Sequence, residues 1–212
     1  MSLDQQQAPS ASSWMLTMPE PLIEKLLANT RFRTVQRGEY IFRQGEPPEG
    51  IYRVLQGVIS VQSPEATPLI GHLLGPGAWF GEGAALTHQP RVVSTMAIAE
   101  TRLAFLPLAT LEEIGRQYPE LWRGLASLTA SNAEVAVGIA RDLMLTRPED
   151  RVIAVLRRLT TSLGREAAIP LSQEQLADMS VLSRGAVSRI LSRLEAAGRV
   201  RRGYRELWWL DN

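Results

Sequence analysis

The chain has no cysteine in its 212 residues. That excludes disulfides, thiolate-bound zinc and cysteine-ligated iron–sulfur clusters, and it is compatible with a reducing cytoplasm, the expected location. Histidine occurs only twice, at His72 and His88. Two isolated histidines do not supply a histidine–carboxylate metal cluster, so neither a metal, a haem nor an enzymatic reaction is expected. No apolar run approaches the roughly 18 residues of a membrane span, and no membrane association is expected. Met1 to Ser13 is rich in Gln, Ser and Ala and lacks the basic start and apolar stretch of a signal peptide. Residues 1–18 are read as a flexible tail.

What is present is unevenly distributed. Net charge is only +1, yet residues 151–212 hold 11 Arg, no Lys and 6 acids, while residues 1–150 hold 12 basic and 16 acidic groups. A basic C-terminal third on a faintly acidic body is the asymmetry of a module that meets phosphate.

The periodicity changes twice along the chain. Pro19 to Ala28 reads as a short amphipathic helix. From Thr34 to Pro107 short apolar or alternating runs follow, at 40–43, 51–56, 58–63, 69–74, 92–99 and 101–106, punctuated by glycines. Many short strands with glycine turns predict a β-sandwich or β-roll. Thr110 and Glu113 have the spacing of a capping box. Pro119 then opens a long helix to about Leu145, with Leu121, Leu125, Leu128, Asn132, Val135 and Ile139 spaced 4, 3, 4, 3, 4. This narrow heptad seam predicts pairing with the same helix of a second chain, with Asn132 setting register. Pro148 suits the first turn of a new helix, which Gly164 ends.

The domain division is therefore a tail at 1–18, a β-rich unit with flanking helices at 19–118, a dimerisation helix at 119–146 and a DNA-binding unit at 147–212. In the last, Ser172 and Gln175 form a second capping box. A turn of about four residues leads to Ser183, which caps a helix from Arg184 to Ala197. Val187, Leu191 and Leu194 make its core face. Arg184, Gly185, Ser188, Arg189 and Arg193 lie away from it, where guanidinium and hydroxyl groups can reach base edges and phosphates. Arg199 to Leu210 reads as a β-hairpin wing whose Arg201 and Arg202 suit phosphate contacts. Two short helices and a basic hairpin make a winged helix-turn-helix.

Leu176-Ala-Asp-Met-Ser-Val-Leu-Ser-Arg-Gly-Ala-Val-Ser-Arg-Ile-Leu-Ser-Arg-Leu-Glu-Ala-Ala-Gly198 resembles the helix-turn-helix of the cyclic-AMP receptor protein and fumarate–nitrate regulator family. Arg37-Gly-Glu-Tyr-Ile-Phe-Arg-Gln-Gly45, Ile51-Tyr-Arg-Val-Leu-Gln-Gly57 and Pro76-Gly-Ala-Trp-Phe-Gly-Glu82 resemble that family's cyclic-nucleotide-binding β-roll. The resemblance covers nearly all of residues 20–210. It implies an α+β chain, in which a β-roll sensor, a long dimerisation helix and a winged helix-turn-helix make a homodimeric transcription regulator. Its partners would be double-stranded DNA, a second copy and RNA polymerase. The alternative is a cyclic-nucleotide-binding adaptor that does not regulate DNA, against which the basic C-terminal constellation argues. DNA contacts are expected from Ser172, Ser183, Arg184, Gly185, Ser188, Arg189, Arg193, Arg201 and Arg202.

The resemblance also implies an effector site at Gly81, Glu82, Arg91 and Val92, where helix N–H groups and the Arg would hold a cyclic phosphate and the Glu a ribose hydroxyl. Three departures bear on it and on the DNA head. Val92 replaces the hydroxyl residue that follows the Arg, Val181 replaces a turn glycine, and Gly185 replaces an acid that would accept from cytosine N4. The polar pair that would read adenine falls, by ungapped alignment, at Ala136 and Val137. These losses make cyclic AMP doubtful, and they leave open another small effector or none; no cofactor is assigned.

Overall fold

The computed structural model describes residues 14–15, 18–63 and 70–211. Its elements begin with α1 (Glu20–Ala28), β1 (Arg31–Val35), β2 (Tyr40–Phe42), β3 (Gly50–Gln56), β4 (Ile59–Gln62), β5 (Ile70–Leu74) and β6 (Trp79–Phe80). There follow α2 (Glu82–Thr87), β7 (Ser94–Ala97), β8 (Thr101–Pro107), α3 (Leu108–Gln117) and α4 (Glu120–Leu143). The C-terminal unit comprises α5 (Pro148–Leu163), α6 (Gln173–Ser180), α7 (Arg184–Ala196), β9 (Val200–Gly203) and β10 (Glu206–Trp209).

Two antiparallel four-stranded sheets, β1-β8-β3-β6 and β2-β7-β4-β5, form the roll. Alternation along a strand sends neighbours to opposite faces, and in β3 both faces are buried. Tyr52 and Val54 join Phe42, Ile59, Phe80 and Leu103 between the sheets, while Ile51 turns outward under the helices. Strands β1 and β6 were not expected from the sequence. Arg31–Val35 is an edge strand with four exposed residues, so it carries no alternating signal, and Trp79–Phe80 is only two residues long.

The outward face of the first sheet is covered by α1, α3 and the first half of α4, through Leu22, Leu26, Ile114, Leu121 and Leu125. Trp14, Met15 and Met18 are buried in this cluster, so the tail expected at 1–18 does not extend to them. Met18 lies where any side chain at position 124 would stand, which Gly124 permits. The rest of that expected tail is outside the described residues.

Thr110 is not a cap. Helix α3 starts two residues earlier, with Pro107 as N-cap and the Leu108 amide donating to Glu49 O at 2.8 Å. The carbonyl of the residue before β3 thus satisfies one of the orphan amides at the helix start. By contrast, Ser172 caps α6 in a full capping box with Gln175, and Ser183 caps α7 through the Ala186 amide.

The third core belongs to the C-terminal unit: Leu156, Leu159, Leu176, Val187, Leu191, Leu194 and Trp209 pack together. Leu73 of β5 is part of the same cluster. The contact with the sensor is close, since a side chain at Gly75 would begin 2.7 Å from Ser162 O and 2.9 Å from Leu163 Cα. No helix among the described residues is long and apolar enough to cross a membrane.

Candidate effector cavity and nucleic-acid interface

A cavity of about 910 Å3 opens between the β-roll, α4 and α5. The four expected effector residues, Gly81, Glu82, Arg91 and Val92, all line it. Gly81 is the left-handed N-cap of α2 at φ 91°, a conformation glycine adopts without penalty.

Arg91 is not presented as expected. Its Nη1 donates to Gly81 O at 2.6 Å and its Nη2 to Gly50 O at 2.9 Å, and its guanidinium lies 4.1 Å over the Phe42 ring. It is buried, and burial pushes the guanidinium below its usual pKa, against the pull of Tyr52, Glu49, Glu82 and Glu46. Tyr52, beside it, is pushed up to about 12 by burial and by Glu49. Arg91 thereby ties the start of β3 to the start of α2, and its Nε is left without a hydrogen-bond partner among the described residues.

Glu82 is buried and accepts from Asn132 Nδ2 at 2.9 Å; the same Nδ2 reaches Trp79 O at 3.3 Å. Asn132, Val135 and Ile139 line the cavity, and Leu121, Leu125 and Leu128 are buried in the chain's own core. The whole expected dimer seam therefore faces its own sensor. Leu121, Leu125 and Leu128 are thus taken up by the chain's own core, while Asn132, Val135 and Ile139 are half-exposed at the cavity.

Ala136 borders the cavity, but Val137 is 67% exposed and does not. Ser131, Asn132, Glu134, Arg141 and Asp142 supply the polar groups from α4, so the cavity keeps polarity on its helical wall. Sequence reasoning missed His72, Thr95 and Arg158, which also line it. The signal for the first two was alternation, because the inward positions of β5 and β7 are polar there.

At the hinge end, Arg158 Nε donates to Asp142 Oδ2 at 2.9 Å and Nη1 to His72 Nδ1 at 3.0 Å. The imidazole thus accepts at Nδ1, and its proton belongs on Nε2. Burial, then Arg158, lowers its pKa to about 4.

In the C-terminal unit α7 presents Arg184, Gly185 and Arg189 to solvent, with Ser188 half-buried beside them. Neither Arg184 nor Arg189 has an ion-pair partner among the described residues. Other expected contacts are engaged elsewhere. Ser172 and Ser183 cap helices, and Arg193 pairs with Glu149 of α5 at 2.9 Å. Arg202 pairs with Glu195 and reaches Ser192 Oγ at 3.3 Å, which fixes the wing to α7. Arg201 is exposed and stacks 4.2 Å from the Trp208 ring, which limits its rotamers. The hairpin pairs Trp208 with Arg201 and Trp209 with Val200, and Ile169 extends it beside Leu207. Tyr204, almost fully exposed at the wing tip, was not anticipated.

Comparison with known proteins finds a family model on each side of α4. The family model described as cyclic nucleotide-binding domain matches residues 32–118, and that described as Crp-like helix-turn-helix domain matches residues 150–211. The chain is 30% identical over 188 residues to the cyclic AMP receptor protein of Thermus thermophilus, covering 85% of this chain and 84% of that one. It is 32% identical over 117 residues to a cyclic nucleotide-gated potassium channel of Mesorhizobium japonicum, of whose length the match covers only 32%. The structure of FixK2 from Bradyrhizobium japonicum superposes with a TM-score of 0.74 at 23% identity, over 86% of this chain and 93% of that one, which supports the fold. With both modules in this order and such a relative matched along most of its length, the chain belongs to the cyclic-AMP receptor protein and fumarate–nitrate regulator family of transcription regulators.

Proposed function

We propose that the protein works as a homodimer, reads an inverted-repeat operator with one α7 from each copy, and is tuned by a small effector in the cavity between the β-roll and α4. The observation that carries this reading is that one cavity is walled by both the sensor and α5, the first helix of the DNA-binding unit. A ligand there touches the element that must move. Cyclic AMP is not the proposed effector, because Arg91 is engaged by two carbonyls and Val92 offers no hydroxyl. RNA polymerase is the expected partner once the operator is bound.

The dimer surface is assigned to the opposite side of α4. Ala126, Ala130, Ala133, Val137, Ala140 and Met144 are all exposed, and each stands five residues after a member of the expected seam. The two stripes lie about 140° apart on a helix of 3.6 residues per turn. The spacing is again 4, 3, 4, 3, 4, and the small side chains let two helices approach closely. Ala133→Asp would bury charge in that interface, and sedimentation should then show monomer; an unchanged dimer would remove the stripe from consideration.

Operator binding is tested by titration at several salt concentrations. Arg184→Ala or Arg189→Ala should lose about 1–3 kcal/mol and relax specificity at one base pair, whereas Arg201→Ala should weaken all sequences and flatten the salt slope by about one. Unchanged affinity in both α7 variants would remove α7 from the groove.

A further inference from the structure

One cross-strand row runs along the cavity. Register places Phe42 opposite Thr95, Thr95 opposite Val61, and Val61 opposite His72, and all four line the cavity. Arg91 stands over the Phe42 end and Arg158 meets the His72 end. Three strand spacings of about 4.8 Å separate the two ends by about 14 Å. The volume of about 910 Å3 lies near the top of the range for small-molecule pockets, about 300–1,000 Å3. The space suits an elongated ligand.

The two arginines differ in what they leave available. Arg91 has both terminal nitrogens on main-chain carbonyls of the sensor, which leaves only its buried Nε without a partner. Arg158 has one carboxylate, Asp142, one neutral imidazole and a long 3.5 Å contact from Nη1 to Gly71 O. Both members of that ion pair lie in the cavity wall, with side chains only 13% and 16% exposed. In such a place a guanidinium needs an anion, and the one it has is replaceable by a ligand carboxylate or phosphate of the same geometry. A second observation points the same way: Thr95 Oγ1, one strand in from the Phe42 end of the row, is buried with no hydrogen-bond partner among the described residues. A buried hydroxyl of that kind favours a ligand with a polar group along its length.

We propose that the hinge end of the cavity is an anion subsite, in which Arg158, supported by His72, takes the carboxylate or phosphate of an elongated small effector in exchange for Asp142. This rests on the cavity being the effector site. Asp142 is in the last turn of α4 and Arg158 is in α5, on either side of the bend at residues 144–147. Exchange of Asp142 for a ligand therefore unties the DNA-binding unit from α4. The other charged groups that border the cavity are Arg141 and Glu134 of α4 and Glu82 of α2, none of which pairs with Arg158.

Inorganic pyrophosphate serves as the probe, with the full chain at constant ionic strength. Imidazole resonances report locally, and His88 on the surface is the internal reference, so anion binding at α7 does not interfere. Pyrophosphate should shift the His72 signals and leave those of His88 in place. Asp142→Asn should shift them at a concentration at least fivefold lower, because the competing charge is gone, and should change operator affinity at least threefold without ligand. Arg158→Gln should abolish the shift. A His72 signal unmoved in both wild type and Asp142→Asn overturns the subsite, as does an equal shift in Arg158→Gln; unaltered operator affinity in Asp142→Asn overturns the untying. Methyl signals of Val61, Thr95, Val135 and Ile139 separate the two readings. If they move while His72 does not, the effector cavity stands and the subsite falls; if none moves, the cavity reading is lost with it.

Discussion

Asn132 holds Glu82 across the cavity mouth, with its carboxamide nitrogen 2.9 Å from the buried carboxylate. The bond joins the start of α2 to the middle of α4. Removal of the donor leaves a buried carboxylate under-satisfied, at about 1–3 kcal/mol. Asn132→Leu should therefore lower stability by that amount in urea titration, and Glu82→Gln combined with it should recover part of the loss. Equal stability of Asn132→Leu and wild type would mean that the bond contributes nothing.

Val181 ends α6 in the left-handed region, at φ 52° and ψ 53°, and its side chain is 63% exposed. A β-branched residue is strained there, and little packing offsets the strain. Val181→Gly should raise stability by about 1 kcal/mol, seen as a higher melting temperature with operator affinity unchanged. A lower melting temperature would show that the valine side chain is needed in the turn.

Gly75 lies where the sensor meets the end of α5. An added methyl would meet the Ser162 carbonyl at 2.7 Å, and backbone cannot swing aside as a side chain can. Gly75→Ala should cost about 1–3 kcal/mol and speed amide exchange in residues 155–163, measured by mass spectrometry. Identical exchange would mean that the two units are already free of each other.

His72 makes stability fall with acid. Its folded pKa is about 4, below the unfolded value of about 6.5, so between these values the unfolded chain binds more protons. Stability is then full above pH 6.5 and declines as pH falls toward 4, by up to about 3 kcal/mol in all. Denaturant unfolding from pH 7.5 to 4.5 should show the decline, and His72→Gln should flatten it. A slope unchanged by the substitution would place its origin in other groups.

Much of the architecture was legible because it is local. Ser172 and Ser183 announced two helices by capping chemistry, and Gly164 marked a helix end at φ 105°. The seam of α4 was legible in period but not in partner. Leu121 to Ile139 repeat as a dimer helix would, yet the same spacing serves a helix lying on its own sheet. The exposed Ala126 to Met144 stripe drew no notice because alanine is weakly apolar. Cavity residues next to Gly81 could be read from a motif. His72 and Arg158 could not, since 86 residues separate them and only the packing of β5 on α5 brings them together. The ion pairs of Arg193 with Glu149 and of Arg202 with Glu195 were illegible for the same reason, as they form only in the folded chain.

Strand β5 shows two faces to two different units: His72 borders the cavity, and Leu73 is buried in the hydrophobic core of the C-terminal helices. A fragment cut at residue 147 would lack that leucine and expose the apolar gap it fills. The sensor is thus a structural chaperone for the DNA-binding unit within the same chain. Heat or denaturant should melt the two as one cooperative block, and any loosening of the roll is felt at once by the helices that read DNA.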